Sequence, residues 1–345
     1  MSLTIILGAL TIFILSNLLV PLNMRFSTQH GIVALPNDRR IHQVETPEGG
    51  GLSFGLPIIL MQLIFAFVYH DSDLSRLFGE LAFVGVLAML LGLVDDRFES
   101  PAKLKFIWQI ALGMIMYLVG YRVYYLTNPL GGDFILGWLS FPVTVLWYVI
   151  VINAINFIDG LDGLATGIAV IVSTVLLVVG IRESNALVIS LSAFLISGCL
   201  AFLRYNFHPA KIFLGETGTQ FIALNIAAIS TAGAAQYKGI TSMTMMIPLA
   251  ALGIPLLDVA LAVFRRIHLG NIFKADKAHI HHAMLAWGLS QRTIAIIVYI
   301  VTIMFGMIAI GFSYSDKKVL LSLLLFLLAL IVIIAYIFMR MERNK

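Results

Sequence analysis

Apolar residues fill most of this chain in blocks of about 18 to 25, and short polar stretches separate one block from the next. A helix of that length crosses a hydrocarbon layer roughly 30 Å thick. Eleven blocks can be drawn, near 3–22, 51–69, 80–94, 104–121, 139–155, 162–181, 186–204, 218–235, 241–264, 293–313 and 319–339. In lipid a spanning segment must satisfy its own backbone hydrogen bonds, which a helix does internally. The pattern therefore predicts an all-α, polytopic membrane protein of about eleven transmembrane helices. No soluble domain, low-complexity linker or internal repeat intervenes, so residues 1–345 read as a single integral domain. One connection, YRVYYLTNPLGGDFILGW, predicts a small hairpin around Gly131-Gly132.

Composition agrees with the pattern. Hydrophobic residues make up 60% of the chain and charged residues 12%, against roughly 25% charged in soluble domains; mean hydropathy is +0.98. The first block has no basic leader and no small-residue cleavage site, so it is expected to stay as a span. The single cysteine, Cys199, excludes a disulfide framework and a cysteine-built metal site. With the N-terminus placed outside, sixteen Lys and Arg fall in inner connections and six in outer ones. Basic residues collect on the cytoplasmic side, which predicts an external N-terminus and a cytoplasmic C-terminus.

Five connections are chemically unusual, and this threading puts all five on the cytoplasmic face: 36–51, 94–106, 153–163, 206–220 and 264–282. In NAINFIDGLDGLATG, Asn153, Asn156, Asp159 and Asp162 recur every third residue, with Gly160 and Gly163 after the two aspartates. An Asp at the middle of a spanning helix costs about 2.5–3.5 kcal/mol, so this stretch belongs at a membrane boundary. A hairpin tip that only caps helix ends would need fewer such groups. Asp95 and Asp96 end another block, where negative charge opposes the helix dipole and two adjacent carboxylates invite a cation. Glu216 sits on a glycine-flanked turn, FLGETG, suited to a metal–phosphate site or simply to solvent. Phe213 is either packing or a face on which a base stacks. His279, His281 and His282, near Arg265, Arg266, Lys274 and Lys277, read as an anion site more readily than as zinc ligands. So many carboxylates beside phosphate-binding bases make sense if Mg²⁺ or Mn²⁺ bridges them. Residue types alone point to metal-dependent phosphoryl chemistry at a membrane surface.

LGLVDDR, NAINFIDGLDGLATG, FLGETGT and HIHH, in this order and with DRRIH…TPEGGG and KFIWQ in support, carry a resemblance over nearly the whole chain. The chain resembles the polyprenyl-phosphate N-acetylhexosamine-1-phosphate transferases of glycosyltransferase family 4, which include the phospho-MurNAc-pentapeptide translocases. That resemblance implies Mg²⁺-dependent transfer of a HexNAc-1-phosphate from a UDP-sugar to undecaprenyl phosphate. UMP is released, on the cytoplasmic face of the bacterial inner membrane. It assigns Asp95, Asp96, Asp159 and His279 to catalysis, with Asp95 on the lipid phosphate. Asn156 would face the pyrophosphate or ribose and Asp162 the uracil side. Phe213 would stack on uracil, and His281 and His282 would contact the diphosphate–sugar end. Arg265 and Lys105 complete the expected substrate contacts, and Glu216 and Asp159 the metal ligands, with Mn²⁺ as the other acceptable ion. The expected partners are a UDP-HexNAc, undecaprenyl phosphate and membrane lipid; no nucleic acid is expected, and a homodimer is left open.

Two departures stand out. The family usually has Asp where this chain has Glu216 and Ser where it has Thr219. HIHH is closer to the GlcNAc-1-phosphate branch than to the pentapeptide translocases, so UDP-GlcNAc is the expected donor. One-step and two-step transfer, the latter through an aspartyl-phosphate, both stay open. A transporter would place its charges near the midplane and show repeated halves. A CDP-alcohol type transferase would need an arginine that DGLDGLATG lacks.

Overall fold

The computed structural model describes residues 2–34, 45–70, 72–127, 133–236 and 287–311, with isolated positions at 252–253, 256, 284–285, 322, 325–326 and 329. Among the described residues there are nine long helices. They are α1 (Ser2–Gln29), α2 (Gly51–Val68), α3 (Asp73–Phe98), α4 (Ala102–Leu118), α5 (Ser140–Ile158), α6 (Leu164–Arg182), α7 (Ala186–Asn206), α8 (Gly215–Gln236) and α9 (Gln291–Gly311). Each coincides with one of the expected apolar blocks. The blocks at 241–264 and 319–339 fall almost entirely outside the described residues. Seven helices are long and apolar enough to cross a membrane: all except α4, which has 17 residues, and α8. The chain is a multi-pass helical membrane protein.

Helices overrun the apolar blocks at several ends. α1 continues to Gln29 and α3 runs from Asp73 to Phe98, several residues beyond the blocks on each side. Hydropathy marks what lipid can hold, whereas a helix continues wherever its backbone hydrogen bonds are cheaper to keep than to exchange for water. Two antiparallel strand pairs complete the described chain. β1 (Val33–Ala34) pairs with β2 (Thr46–Pro47), and β3 (Tyr125–Thr127) pairs with β4 (Asp133–Ile135). The second pair is the hairpin expected around Gly131-Gly132; the turn itself is outside the described residues.

The helix that organises the bundle is α8. Every residue from Thr217 to Ala232 is buried, and α2, α3, α5, α6 and α7 all pack against it. A helix enclosed on all sides cannot leave polar side chains unanswered. Neighbouring helices answer those in its middle: Gln62 Nε2 donates to Asn225 Oδ1 at 3.2 Å, and Trp147 Nε1 donates to Ser230 Oγ at 2.9 Å. Tyr148 and Thr231 share a hydrogen bond at 3.2 Å. These bonds fix the rotation of α8 inside the bundle, because Asn225, Ser230 and Thr231 must each face its own partner.

Two glycines let the start of α8 come in close. Gly51, the first residue of α2, touches the backbone around Thr217 and Gly218. A Cβ at Gly92 of α3 would stand 2.5 Å from Thr217 Cα and 2.6 Å from the Glu216 carbonyl oxygen, with no flexible side chain to yield. Gly92→Ala should therefore cost about 1–3 kcal/mol as overpacking and visibly lower the thermal unfolding midpoint in detergent. Gly79→Ala, on the same helix, places its Cβ 3.8 Å from Ala66 Cβ, an ordinary contact, and should leave the midpoint unchanged. Equal midpoints for the two variants would refute the close approach.

Candidate active site

Described parts of four of the five polar stretches meet at one end of the bundle, and the start of α8 is where they meet. Phe213 N–H donates to the Pro47 carbonyl at 2.8 Å, Gly50 N–H donates to the Phe213 carbonyl at 3.0 Å, and Gly51 N–H donates to the Leu214 carbonyl at 3.3 Å. The TPEGGG segment is thereby stitched to the segment that enters α8. The fifth stretch, with Arg265, His279, His281 and His282, lies outside the described residues.

The two adjacent aspartates of α3 do different things. Asp96 points at the first turn of α8. Its Oδ1 accepts from Glu216 N–H at 2.6 Å, and its Oδ2 accepts from Thr217 N–H at 3.0 Å and from Thr217 Oγ1 at 2.5 Å. The first amides of a helix have no partner within it, and its positive end favours an anion. Asp96 serves as that anion from a helix 120 residues away in sequence. Asp95 turns the other way and is buried. Its Oδ1 accepts from Ser100 N–H at 2.9 Å, and its Oδ2 lies 2.5 Å from Lys105 Nζ.

Lys105 also reaches Glu216, with Nζ 2.9 Å from Oε1, so one ammonium bridges the end of α3 to the start of α8. The other carboxylate oxygen of Glu216 accepts from Gln220 Nε2 at 3.4 Å. Thr219, at the second departure from the family pattern, directs its hydroxyl back to the Glu216 carbonyl at 3.3 Å.

Asp159 caps the end of α5 and is half-buried. Its enclosure, and then the nearby carboxylates of Glu216, Glu48, Asp96 and Asp162, hold its carboxyl well above the usual range. Asn156 lies one turn back on α5 and is also half-buried. Asp162 is spoken for on one side: its Oδ2 accepts from Ala210 N–H at 3.1 Å and lies 2.8 Å from His208 Nδ1. Phe213 is half-buried on the strand-like entry to α8.

Several residues escaped the sequence reading. His208 was not singled out, although it stands in the polar NFHPAK stretch. Asn206 clamps the same loop by donating to the Ile212 carbonyl at 3.0 Å and accepting from Thr166 Oγ1 at 2.9 Å. Thr217 adds a hydroxyl to the Asp96 cap. Glu48 belongs to TPEGGG, and its charge acts on Asp159. Asn153, by contrast, was named in the repeat, and it ties α5 to α4, its Nδ2 donating to Gln109 Oε1 at 2.6 Å and to the Val149 carbonyl at 2.8 Å.

Among the described residues no three His, Cys, Asp or Glu side chains form a ready-made metal cage. The donor set nevertheless suits Mg²⁺, which is usually held by one or two carboxylates together with substrate phosphates. Asp95 and Glu216 already share a cation, the Lys105 ammonium.

Comparison with known proteins gives a consistent picture. The family model for glycosyl transferase family 4 matches residues 77–234. A probable undecaprenyl-phosphate N-acetylglucosaminyl 1-phosphate transferase of Bacillus subtilis is 35% identical over 97% of this chain and 89% of that protein. A decaprenyl-phosphate N-acetylglucosaminephosphotransferase of Mycobacterium tuberculosis is 33% identical over 83% of this chain and 76% of its own length. A phospho-N-acetylmuramoyl-pentapeptide-transferase of Caldicellulosiruptor bescii is 30% identical over 90% and 96%.

The convergence of loops at one end can be tested without any assay of activity. In a Cys199→Ala background, single cysteines replacing Ser100 and Ala210 should react with an impermeant thiol reagent from the same side of the membrane. One replacing Ser184, in the α6–α7 turn, should react from the other side. Labelling of Ser100→Cys and Ala210→Cys from opposite sides would break the site apart.

Proposed function

The chain belongs to glycosyl transferase family 4, and from that membership we propose that it moves GlcNAc-1-phosphate from UDP-GlcNAc to undecaprenyl phosphate. UMP leaves, and the reaction stands as the first membrane step of a cell-envelope polysaccharide. The observation that carries the reading is the pair of carboxylates, Asp95 and Glu216, held around one cation at the start of a buried helix. The two N-acetylglucosaminyl relatives agree with the choice of sugar. The sixteen-to-six charge asymmetry supports a cytoplasmic site in a bacterial inner membrane, where the nucleotide sugar is available.

In this reading the diphosphate of the donor lies over the first turn of α8. A phosphate oxygen of the lipid attacks the sugar-bearing phosphorus in line. As that P–O bond forms, the bond to the bridging oxygen breaks, and UMP departs with the electron pair. A Mg²⁺ ion held by Glu216, with Asp95 or Asp159, supplies charge neutralisation for the diphosphate when bound; Mn²⁺ is the alternative. Asp95 orients the lipid phosphate or takes its proton, and Lys105 is placed to meet phosphate charge. Asp96 has both oxygens engaged by N–H and O–H donors of α8. That weakens it as a nucleophile and argues against an aspartyl-phosphate on Asp96. Asp96 acts by holding Glu216 in position.

Phe213 offers its ring to the uracil. Asp162 faces the base side, and with Oδ2 occupied by His208 and Ala210 it has Oδ1 to offer. Asn156 lies toward the pyrophosphate or ribose. We assign His279, His281, His282 and Arg265 to the diphosphate–sugar end.

The direct test is to supply membranes containing the protein with undecaprenyl phosphate and a panel of labelled UDP-sugars, then resolve the lipids and count UMP. UDP-GlcNAc should yield a lipid-linked GlcNAc diphosphate with one UMP per turnover. Product from UDP-MurNAc-pentapeptide alone would move the chain to the other branch. Glu216→Gln should lose a hundredfold or more of the rate at limiting Mg²⁺, about 3 kcal/mol. Glu216→Asp should retain substantial activity and shift preference from Mn²⁺ toward Mg²⁺. If Glu216→Gln matches the native protein at limiting metal, Glu216 is not a ligand.

A further inference from the structure

The contacts of Lys105 imply more than substrate binding. Each of the two carboxylates it bridges has one oxygen tied to the protein, Asp95 Oδ1 by Ser100 N–H and Glu216 Oε2 by Gln220 Nε2. Each gives its other oxygen to the Lys105 ammonium, at 2.5 Å and 2.9 Å. The carboxylates are fixed by protein groups, while the cation between them rides on a flexible four-carbon arm. Asp95 is 3% exposed and Glu216 19%, and the lysine side chain is 28% exposed. The lysine side chain is thus the most exposed of the three.

We infer that Lys105 is a tethered stand-in for the metal: it occupies the Asp95–Glu216 seat and must be displaced before a divalent cation can enter. The inference rests on the reading of Glu216 as a metal ligand. Two carboxylates drawn together in partly buried surroundings repel strongly without a cation between them. Lys105 supplies that charge from within the chain and keeps the end of α3 against the start of α8 when no metal is present. A dication arriving at the same oxygens would be repelled by the ammonium already there, so its affinity for the protein alone would be low. A diphosphate or phosphate ligand changes the balance, because it offers the released ammonium a new anionic partner. Metal and phosphate-bearing ligand then bind cooperatively, and the seat opens to metal mainly when there is substrate to use it.

The experiment measures Mn²⁺ binding to the purified full-length protein in detergent, without substrates, from the paramagnetic signal of free Mn²⁺. Lys105→Met and Lys105→Gln both remove the charge, and the second keeps a hydrogen-bonding arm in case the first fails to fold. Either should bind Mn²⁺ at least tenfold more tightly than the native protein. Lys105→Arg keeps the charge and should bind as weakly as native. Thermal unfolding gives a second readout: without metal the neutral variants should melt below native, and Mn²⁺ should raise their midpoint more than it raises the native one. Unchanged or weaker Mn²⁺ binding in the neutral variants overturns the competition. Adding Glu216→Gln to Lys105→Met should abolish the gained Mn²⁺ binding; if the double variant binds Mn²⁺ as tightly as Lys105→Met alone, the seat itself is overturned, a different result that identifies the underlying reading as the fault.

Discussion

The carboxylate of Asp96, laid across the first turn of α8, is the contact on which the rest of the site depends. A helix that begins inside a membrane protein has amide protons which neither lipid nor a preceding turn can satisfy. Here they are taken up by an anion from α3, with the Thr217 hydroxyl as a third donor. The contact requires the backbones to approach closely, which Gly92 and Gly51 permit. Once it is made, little freedom remains. Glu216 follows immediately on the fixed turn, Lys105 can reach it and Asp95 together, and the Phe213 segment is drawn into register with Pro47 and Gly50.

A second constraint acts from the other direction along the same helix. α8 is enclosed yet carries Asn225, Ser230 and Thr231, each matched by a polar group on α2 or α5. In a purely apolar interface α8 could slide or rotate at little cost. The hydrogen bonds make one rotation much better than its neighbours, so the face that bears Glu216 is set by contacts deep in the bundle as well as by the cap. Asn206, Thr166, His208 and Asp162 perform the same service for the loop that leads into it.

Much of this was legible in the sequence, and the limits of that reading have physical causes. Nine of the eleven apolar blocks coincide with helices among the described residues, because lipid imposes a length on anything that crosses it. Their ends were less clear, since α1 and α3 keep their hydrogen bonds beyond the apolar zone. Asp95, Asp96, Asp159, Asp162 and Glu216 announced themselves as charges amid apolar sequence, and the structure brings them to one end. What could not be read was their division of labour. The partners of Asp96 are backbone amides, which no residue type advertises. His208 was passed over because its partner, Asp162, is 46 positions away. The polar residues of α8 were visible, but only three-dimensional packing shows that they face inward on every side. Lys105 was read as a substrate contact, and its bridging of two carboxylates depends on three helix ends meeting.

The claim that Asp96 works by capping, leaving the chemistry to its neighbours, is open to one direct measurement. Hydrogen exchange followed by mass spectrometry reports the protection of the Glu216 and Thr217 amides in the native protein and in Asp96→Ala. Loss of the cap should speed exchange at those two amides by tenfold or more, while the middle of α8, held by Asn225, Ser230 and Thr231, stays protected. Unchanged exchange at Glu216 and Thr217 in a variant that has lost transfer activity would contradict the account, and would make Asp96 a participant in the reaction itself.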